Sequence, residues 1–228
     1  LMADADVVVE NFRPGALERR FLGHERIRRR HPALVWCTIT GFGPDSERPG
    51  YDYVVQAERG WMSITGEREG PPMKAGVAFA DVIAGKDAAI AILGAMVSRA
   101  MTGLGRHVSV SLARSAAAAL VNVAQNALVT GEDASRWGNA HPNLVPYELF
   151  EAADRPIVIA VGSDAQWTAC VQALDLGGLA PDPRLATHAG RLAQRERVVW
   201  EISTRVRQLT AAEWVRRLDA AGVPNGIV

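Results

Sequence analysis

The stretch "MKAGVAFADVIAGKDAAIAILGAMV", residues 73–97, decides the fold class. Its first nine residues, 73–81, form a mainly apolar run that predicts a strand ending in one carboxylate, Asp81. Small residues follow, and the apolar pattern over residues 84–101 predicts a helix. A strand that passes directly into a helix is the repeating unit of an α/β fold.

The same alternation recurs on both sides of this stretch. Further strands are predicted at residues 6–12, 33–43 and 105–112, and helices from Ala16, over 54–66 and over 112–130. Strands that alternate with helices favour a largely parallel sheet.

The second half of the chain has a different character. Residues 130–150, "TGEDASRWGNAHPNLVPYELF", are polar, contain Gly and Pro, and predict a linker. Beyond it we expect a strand at "PIVIAVG" and several helices, one of them starting at Thr210 with Glu213 in the capping-box position. The predicted organisation is therefore a large domain at 1–129, a linker at 130–150 and a smaller α/β domain at 151–228.

Composition excludes several classes of function. Among 228 residues, Lys plus Arg and Asp plus Glu number 25 each, so the balance predicts no nucleic-acid or membrane partner. The basic stretch 18–31 is either a solvated helix face or a site for a phosphorylated ligand. Cys37 and Cys170 are far apart, which indicates neither a disulfide nor a metal site and favours the cytoplasm. Because strand patterns lie at both ends, we expect the chain to be the middle of a longer protein.

Asp81 is the residue with the strongest chemical interest. In open α/β sheets ligands bind outside the carboxyl ends of the strands, and helix-end amides there favour an ionised carboxylate. The alternative is that Asp81 is simply the N-cap of the helix that follows, which is a common use of aspartate. Local pattern alone leaves both interpretations open.

Five motifs in order resemble the class III CoA-transferases, the family of formyl-CoA:oxalate and carnitine CoA-transferases. They are "VVVENFRPGALE", "HPALVWCTITGFGPD", "PGYDYVVQAERGWMSITG", "GVAFADVIAG" and "TGLGRHVSVSL". The segment "RWGNAHPNLVPYELF" is most similar to the branch that acts on glutarate or succinate and hydroxymethylglutarate. The resemblance implies a Rossmann-like large domain, here incomplete at its N-terminus, a smaller α/β domain, and an interlocked homodimer.

The resemblance also implies the activity. In this family the aspartate at the position of Asp81 is the nucleophile that transfers CoA from an acyl-CoA to a carboxylic acid, through an aspartyl-CoA thioester. It implies no metal and no cofactor beyond CoA, which is a substrate. Nucleophilic catalysis of this kind divides one difficult exchange into easier steps.

The "NFRPG" segment matches the family's CoA contacts. The resemblance implies CoA-binding roles for Asn11, Phe12 and Arg13, and for Arg19 just after them. Arginine suits the phosphates of CoA. The alternative for this segment is a plain strand-to-helix turn.

Two further segments match the family's active-site lining. The resemblance places Gly50, Tyr51 and Asp52 there as CoA-binding residues, with Tyr51 also a candidate to bind the acyl carboxylate. Arg136 and His141 are candidates to hold the distal carboxylate of a dicarboxylic acid. The alternatives are a core tyrosine at position 51 and ordinary linker polarity at positions 136 and 141.

Two rival interpretations come from different classes. The α-methylacyl-CoA racemases resemble the chain at the same aspartate, but they carry a histidine where this chain has Tyr51, and tyrosine is a poorer proton shuttle than histidine at neutral pH. A chain that lacks its ends could instead be an inactive CoA-binding remnant. No run of glycines like the active-site loop of formyl-CoA transferase occurs, which argues against oxalate as substrate.

Overall fold

The computed structural model describes residues 4–228. The chain divides into two compact units, Leu1–Arg136 and Trp137–Val228. The first unit contains a three-stranded parallel sheet and the second a three-stranded antiparallel sheet, both with helices. The predicted α/β class is confirmed, whereas the interlocked dimer stays a prediction.

The sheet of the first unit consists of strands from three of the four predicted segments. They are β1 (Val7–Glu10), β2 (Val35–Thr40) and β3 (His107–Ser111), in the order β1-β2-β3. The central strand β2 is covered on both faces at its start, where Val35, Trp36 and Cys37 are at most 1% exposed. A parallel strand buried in this way requires a continuous apolar run, which "LVWC" provides.

Helices lie between these parallel strands, as parallel pairing requires, and further helices follow β3. They are α1 (His24–Arg30), α2 (Asp52–Glu58), α3 (Trp61–Ile64), α4 (Phe79–Thr102), α5 (Leu112–Ala118) and α6 (Val121–Thr130). The helix predicted from Ala16 is wrong in its start, because a 3₁₀ turn at Glu18–Arg20 ends in a left-handed Phe21 and the α-helix begins only at His24. The predicted helix over 112–130 is divided after Ala118, where Val121 also has a positive φ of 46°.

The strand predicted over residues 73–81 is wrong. Both edges of β2 are already paired, with β1 and β3, and the segment before Asp81 joins neither sheet. Its main chain is bonded by a side chain instead, because Gln56 Oε1 accepts the Ala75 N–H and Gln56 Nε2 donates to the Val77 carbonyl. The apolar run then continues into α4, so Asp81 lies in the first turn of a helix and not at the end of a strand.

One face of α4 anchors it to the first unit. Ala80, Ala84 and Ala88 are spaced four residues apart and are at most 3% exposed. The first two belong to a small core together with Val55, Leu112 and Ala116. This packing fixes the start of α4 close to α2 and α5.

The second unit has its own sheet and a larger core. It contains β4 (Tyr147–Glu151), β5 (Pro156–Ala160), α7 (Asp164–Ala173), α8 (His188–Ala193), α9 (Arg195–Val206), α10 (Ala211–Ala220) and β6 (Asn225–Ile227), with strand order β4-β5-β6. Strand β4 starts inside the predicted linker, because Tyr147 to Glu151 pair antiparallel with β5. The N-cap predicted at Thr210 is confirmed, since Thr210 Oγ1 accepts the Glu213 N–H at 3.4 Å, whereas the Glu213 carboxylate accepts hydrogen bonds from Arg216 and Arg217.

Three further findings concern the described residues only. Within residues 4–228 no helix has both the length and the apolar composition that crossing a membrane requires. The same part of the chain contains no group of three or more His, Cys, Asp or Glu side chains arranged to hold a metal ion. Cys37 and Cys170 are both buried and free.

Candidate active site

A cavity of about 550 Å³ opens at the carboxyl edge of the first unit's sheet. Its wall includes the last residues of β1 and β2, Glu10 and Thr40, and Leu112 directly after β3. This is the edge where open α/β sheets bind ligands. Most of the predicted site residues also line it: Asn11, Phe12, Arg13, Gly50, Tyr51, Asp52 and Asp81.

Asp81 projects from the first turn of α4 into this cavity wall. It is not the N-cap, since Ala78 occupies that position. No hydrogen bond from residues 4–228 reaches its carboxylate, so its oxygens are available to a ligand. Partial burial raises the pKa of the Asp81 carboxyl above its usual range, and the nearby Asp52 carboxylate raises it further. An exposed, unbonded carboxylate of increased basicity is well suited to nucleophilic attack.

Asp52 has a different role from Asp81, although both line the cavity. Its Oδ1 accepts the Ala80 N–H at 2.8 Å, and its Oδ2 accepts a hydrogen bond from Gln56 Nε2 at 2.7 Å. The first of these bonds satisfies one of the amides that every helix start leaves free. Asp52, which is not part of α4, therefore caps this helix at Ala80, the residue before Asp81.

Tyr51 is the N-cap residue of α2, and it is 72% exposed. The alternative of a core tyrosine is therefore wrong. Gly50, just before it, lies against Gly41 at the end of β2, and a Cβ on either glycine would overlap the other's backbone. This contact between two glycines brings Tyr51 and Asp52 to the edge of the sheet.

The "NFR" segment leaves β1 at the same edge. The Phe12 N–H donates to Glu10 Oε2 at 2.9 Å, and Asn11, Phe12 and Arg13 are all exposed. Arg13 also lines a smaller, adjoining cavity of about 130 Å³ together with His24 and His107. Phe12 and Arg13 thus line both cavities, whereas Asn11 lines the larger one.

Two predicted residues of the first unit do not line this cavity. Arg19 lies in the 3₁₀ turn beside Gly15 and is exposed. Arg136 donates to the carbonyls of Glu67, Ser63 and Gly70, at 3.1, 3.5 and 2.7 Å. It therefore fastens the loop after α3, and its role toward a substrate stays a prediction.

His141 belongs to the second unit. Its Nδ1 accepts the Asn143 N–H at 3.0 Å, and its ring lies against Tyr147 with the centroids 5.1 Å apart. Burial lowers the pKa of His141, and the positive charges of Arg195 and His188 lower it further. A neutral imidazole is poorly suited to hold a carboxylate, so its predicted binding role has no electrostatic support in this unit.

Sequence reasoning missed two residues that the structure connects with the site. Arg48 lines the cavity, lies over the Phe42 ring with its guanidinium carbon 4.3 Å from the centroid, and pairs with Glu58. Gln56 is fully buried behind the cavity wall. Signals for both existed, since Arg48 precedes "PGYD" directly and Gln56 lies one helical turn after Asp52, the spacing at which Gln and Asp side chains bond.

Comparison with known proteins gives a consistent family. The model of CoA-transferase family III matches residues 1–228. A succinate–glutarate CoA-transferase of Agrobacterium fabrum is 40% identical, over 99% of this chain and 57% of the relative. A succinyl-CoA:glutarate CoA-transferase of Mus musculus is 37% identical, over 99% of this chain and 52% of the relative. The chain thus spans little more than half the length of these relatives.

A solved structure agrees with the sequence comparison. The crystal structure of a CaiB/BaiF family protein from Brucella suis matches with a TM-score of 0.81 and 40% identity. The match covers 99% of this chain and 60% of that protein. Fold and sequence therefore point to one family.

Proposed function

The chain belongs to CoA-transferase family III, and we propose that its protein transfers CoA from an acyl-CoA to a free carboxylic acid, with Asp81 as the nucleophile. The observation that carries this proposal is the Asp81 carboxylate itself. It is unbonded within the described chain, has a raised pKa, and lines a cavity together with Arg13, Tyr51 and Asp52. A carboxylate nucleophile suits an exchange between carboxylic acids, because each intermediate stays an activated acyl group.

The proposed reaction has four balanced steps. Asp81 attacks the thioester carbonyl, the C–S bond breaks, and a mixed anhydride and CoA thiolate form. The thiolate attacks the Asp81 carbonyl and expels the donor carboxylate, which leaves an aspartyl-CoA thioester. The acceptor carboxylate then attacks that thioester and releases the thiolate, giving a second anhydride. Attack of the thiolate on the acceptor's carbonyl yields the new acyl-CoA and regenerates Asp81. Water must be excluded throughout, since it would hydrolyse each intermediate.

CoA binding is assigned to the "NFR" segment. Arg13 has a guanidinium in both adjoining cavities, which suits the phosphate groups of CoA. Phe12 is 53% exposed and offers a ring face to an adenine or pantetheine group. Arg19, exposed just beyond, is a peripheral candidate for a phosphate contact.

The acceptor is proposed to be a dicarboxylic acid. Two of the relatives are named for succinate or succinyl-CoA and glutarate. Arg13 and Arg48 line the cavity, and Arg13 is assigned to CoA. Arg48 is therefore a better candidate than Arg136 to bind the distal carboxylate. Its present partner Glu58 is exposed, and an exposed ion pair is weak because water screens it, so a substrate carboxylate can displace Glu58.

The interlocked homodimer, the cytoplasmic location and the absence of any cofactor beyond CoA remain proposals that rest on the family resemblance. The racemase interpretation has no histidine at position 51 to support it, and it serves as a possible outcome of the test below.

Covalent trapping tests the proposed function. The protein is incubated with succinyl-CoA, treated with hydroxylamine or borohydride, and the peptide that contains Asp81 is examined by mass spectrometry. We expect modification of Asp81, and loss of both modification and CoA exchange in Asp81→Ala. Asp87→Asn is the matched control, because Asp87 lies on the same helix, accepts a hydrogen bond from Ser115 and is outside the cavity wall.

Two results would contradict the proposal. Exchange at the wild-type rate in Asp81→Ala would remove the nucleophile. Deuterium incorporation at C2 of a 2-methylacyl-CoA, without CoA exchange, would favour the racemase instead.

A further inference from the structure

A fully buried amide lies behind the candidate nucleophile. Gln56 is 0% exposed, yet its side chain does not line the cavity. Its Nε2 donates to Asp52 Oδ2 at 2.7 Å and to the Val77 carbonyl at 3.3 Å, and its Oε1 accepts the Ala75 N–H at 2.9 Å. Both donors and the acceptor of the amide are therefore used.

These bonds connect two separate segments that meet at Asp81. Ala75 and Val77 belong to the irregular chain that leads into α4, and Asp52 begins α2. The Asp52 carboxylate is bonded to Gln56 through one oxygen and to the Ala80 N–H through the other. The Gln56 amide therefore binds the chain before the N-cap of α4, and the Asp52 carboxylate binds the Ala80 N–H after it. Asp81 is the residue that follows Ala80.

The segment before Asp81 depends on this arrangement. No strand within residues 4–228 pairs with it, and Gln56 supplies partners for main-chain groups that a sheet would otherwise satisfy. Loss of the amide would leave the Ala75 N–H and the Val77 carbonyl without that partner, and would free Asp52 to rotate. A displacement of about 1 Å at a reacting group can cost on the order of 100-fold in rate.

We propose that Gln56 is a positioning residue that orients Asp81 for attack, by fixing the chain before α4 directly and the first turn of α4 through Asp52. The inference rests on the proposed nucleophilic role of Asp81. It does not require Gln56 to contact either substrate.

Two substitutions test this role, one by removing the hydrogen bonds and the other by making them depend on pH. Gln56→Leu keeps a side chain of similar size and removes all three hydrogen bonds. Gln56→Glu keeps the shape, but its ionised form would face the Asp52 carboxylate, whereas its protonated form can still donate to Asp52 and accept from Ala75. Gln166→Leu is the matched control, because that helical glutamine also bonds a main-chain N–H, at Gly162, in the second unit.

Steady-state CoA exchange and the rate of Asp81 labelling are measured for each variant. We expect Gln56→Leu to lower kcat and the labelling rate by about 10- to 100-fold, with the KM for acyl-CoA within about 2-fold, because Gln56 does not itself line the cavity. The ratio of kcat for Gln56→Glu to kcat for wild type should rise as the pH falls, since protonation restores the donor. Gln166→Leu should behave as wild type. Thermal melting checks that each variant folds.

The outcomes separate this inference from the proposed function. Absence of labelling at Asp81 in the wild-type protein would overturn both. Normal wild-type labelling together with an unchanged labelling rate in Gln56→Leu would overturn the role of Gln56 alone. If Gln56→Leu does not fold, a pH-independent ratio for Gln56→Glu decides against the role, and a ratio that rises toward low pH supports it.

Discussion

At the scale of single residues, the candidate site divides two tasks between two carboxylates. Asp52 is bonded on both oxygens and caps α4, whereas Asp81 is left without a hydrogen bond from the described chain. If Asp81 itself bonded the helix-end amides, its charge would be stabilised and its nucleophilicity reduced. The external cap thus leaves the neighbouring carboxylate basic and free.

The raised pKa of Asp81 has a consequence for stability. A carboxyl whose pKa is higher in the folded than in the unfolded state binds protons preferentially in the folded state, so stability falls as the pH rises from its usual pKa, about 3.9, through the raised value. We therefore expect Asp81→Asn to be inactive but to melt at a higher temperature than wild type at neutral pH. The difference should shrink as the pH falls below that interval. A variant that melts lower at neutral pH would contradict the prediction.

The choice of Arg48 over Arg136 for the distal carboxylate is also a residue-scale prediction. Arg48→Lys should reduce kcat/KM for glutarate or succinate as acceptor by about 10-fold or more, with a smaller effect on a monocarboxylic acceptor, because lysine cannot copy a bidentate contact. Arg59→Lys is the matched control, since Arg59 also lies over the Phe42 ring, at 5.7 Å, but outside the cavity wall. An equal loss with both kinds of acceptor would remove Arg48 from this role.

At the scale of elements, what the sequence could predict depended on the range of the interactions. The strands β1, β2 and β3 and the cap at Thr210 follow from local patterns, and all four are present. The strand predicted before Asp81 failed, because its main chain is bonded by Gln56 about 20 residues earlier. No local pattern contains that contact, and an apolar run of four or five residues fits a helix start equally well.

The packing of Gly41 on Gly50 gives an element-scale prediction. A Cβ at position 50 would overlap the Gly41 backbone at the end of β2, so Gly50→Ala must displace the loop that carries Tyr51 and Asp52. We expect a loss of about 1–3 kcal/mol in the free energy of unfolding, as for other overpacked sites, and a reduced kcat. Gly43→Ala is the control: an added Cβ there meets no atom within 4 Å, but φ is +108°, so this variant reports backbone strain without steric overlap. Equal stability of Gly50→Ala and wild type in urea melts would refute the packing argument.

At the scale of the whole molecule, the two units differ in the size of their buried apolar clusters. Among the described residues of the first unit, the buried cluster beside α4 contains five residues, three of them alanines. The face of α4 opposite this cluster exposes Ile90, Leu93, Val97 and Met101. The second unit has a larger cluster, which contains two tryptophans, Trp167 and Trp214. Its buried Arg191 donates hydrogen bonds to main-chain carbonyls and to the Asp164 carboxylate. Sequence alone could not show this difference, because apolar content is similar throughout and burial depends on tertiary contacts.

The larger core predicts that residues 137–228 fold without the rest of the chain. This segment contains a complete three-stranded sheet, and its helices α9 and α10 bury Ile202 and Trp214 completely. We expect the isolated segment to unfold in one cooperative transition, followed by circular dichroism. Ile202→Ala should lower its free energy of unfolding by about 2–5 kcal/mol because it leaves a cavity, whereas Trp200→Ala on the same helix, at a side chain 65% exposed, should change it little. A gradual, non-cooperative melt, or equal effects of the two substitutions, would mean that this core is stable only within the longer chain.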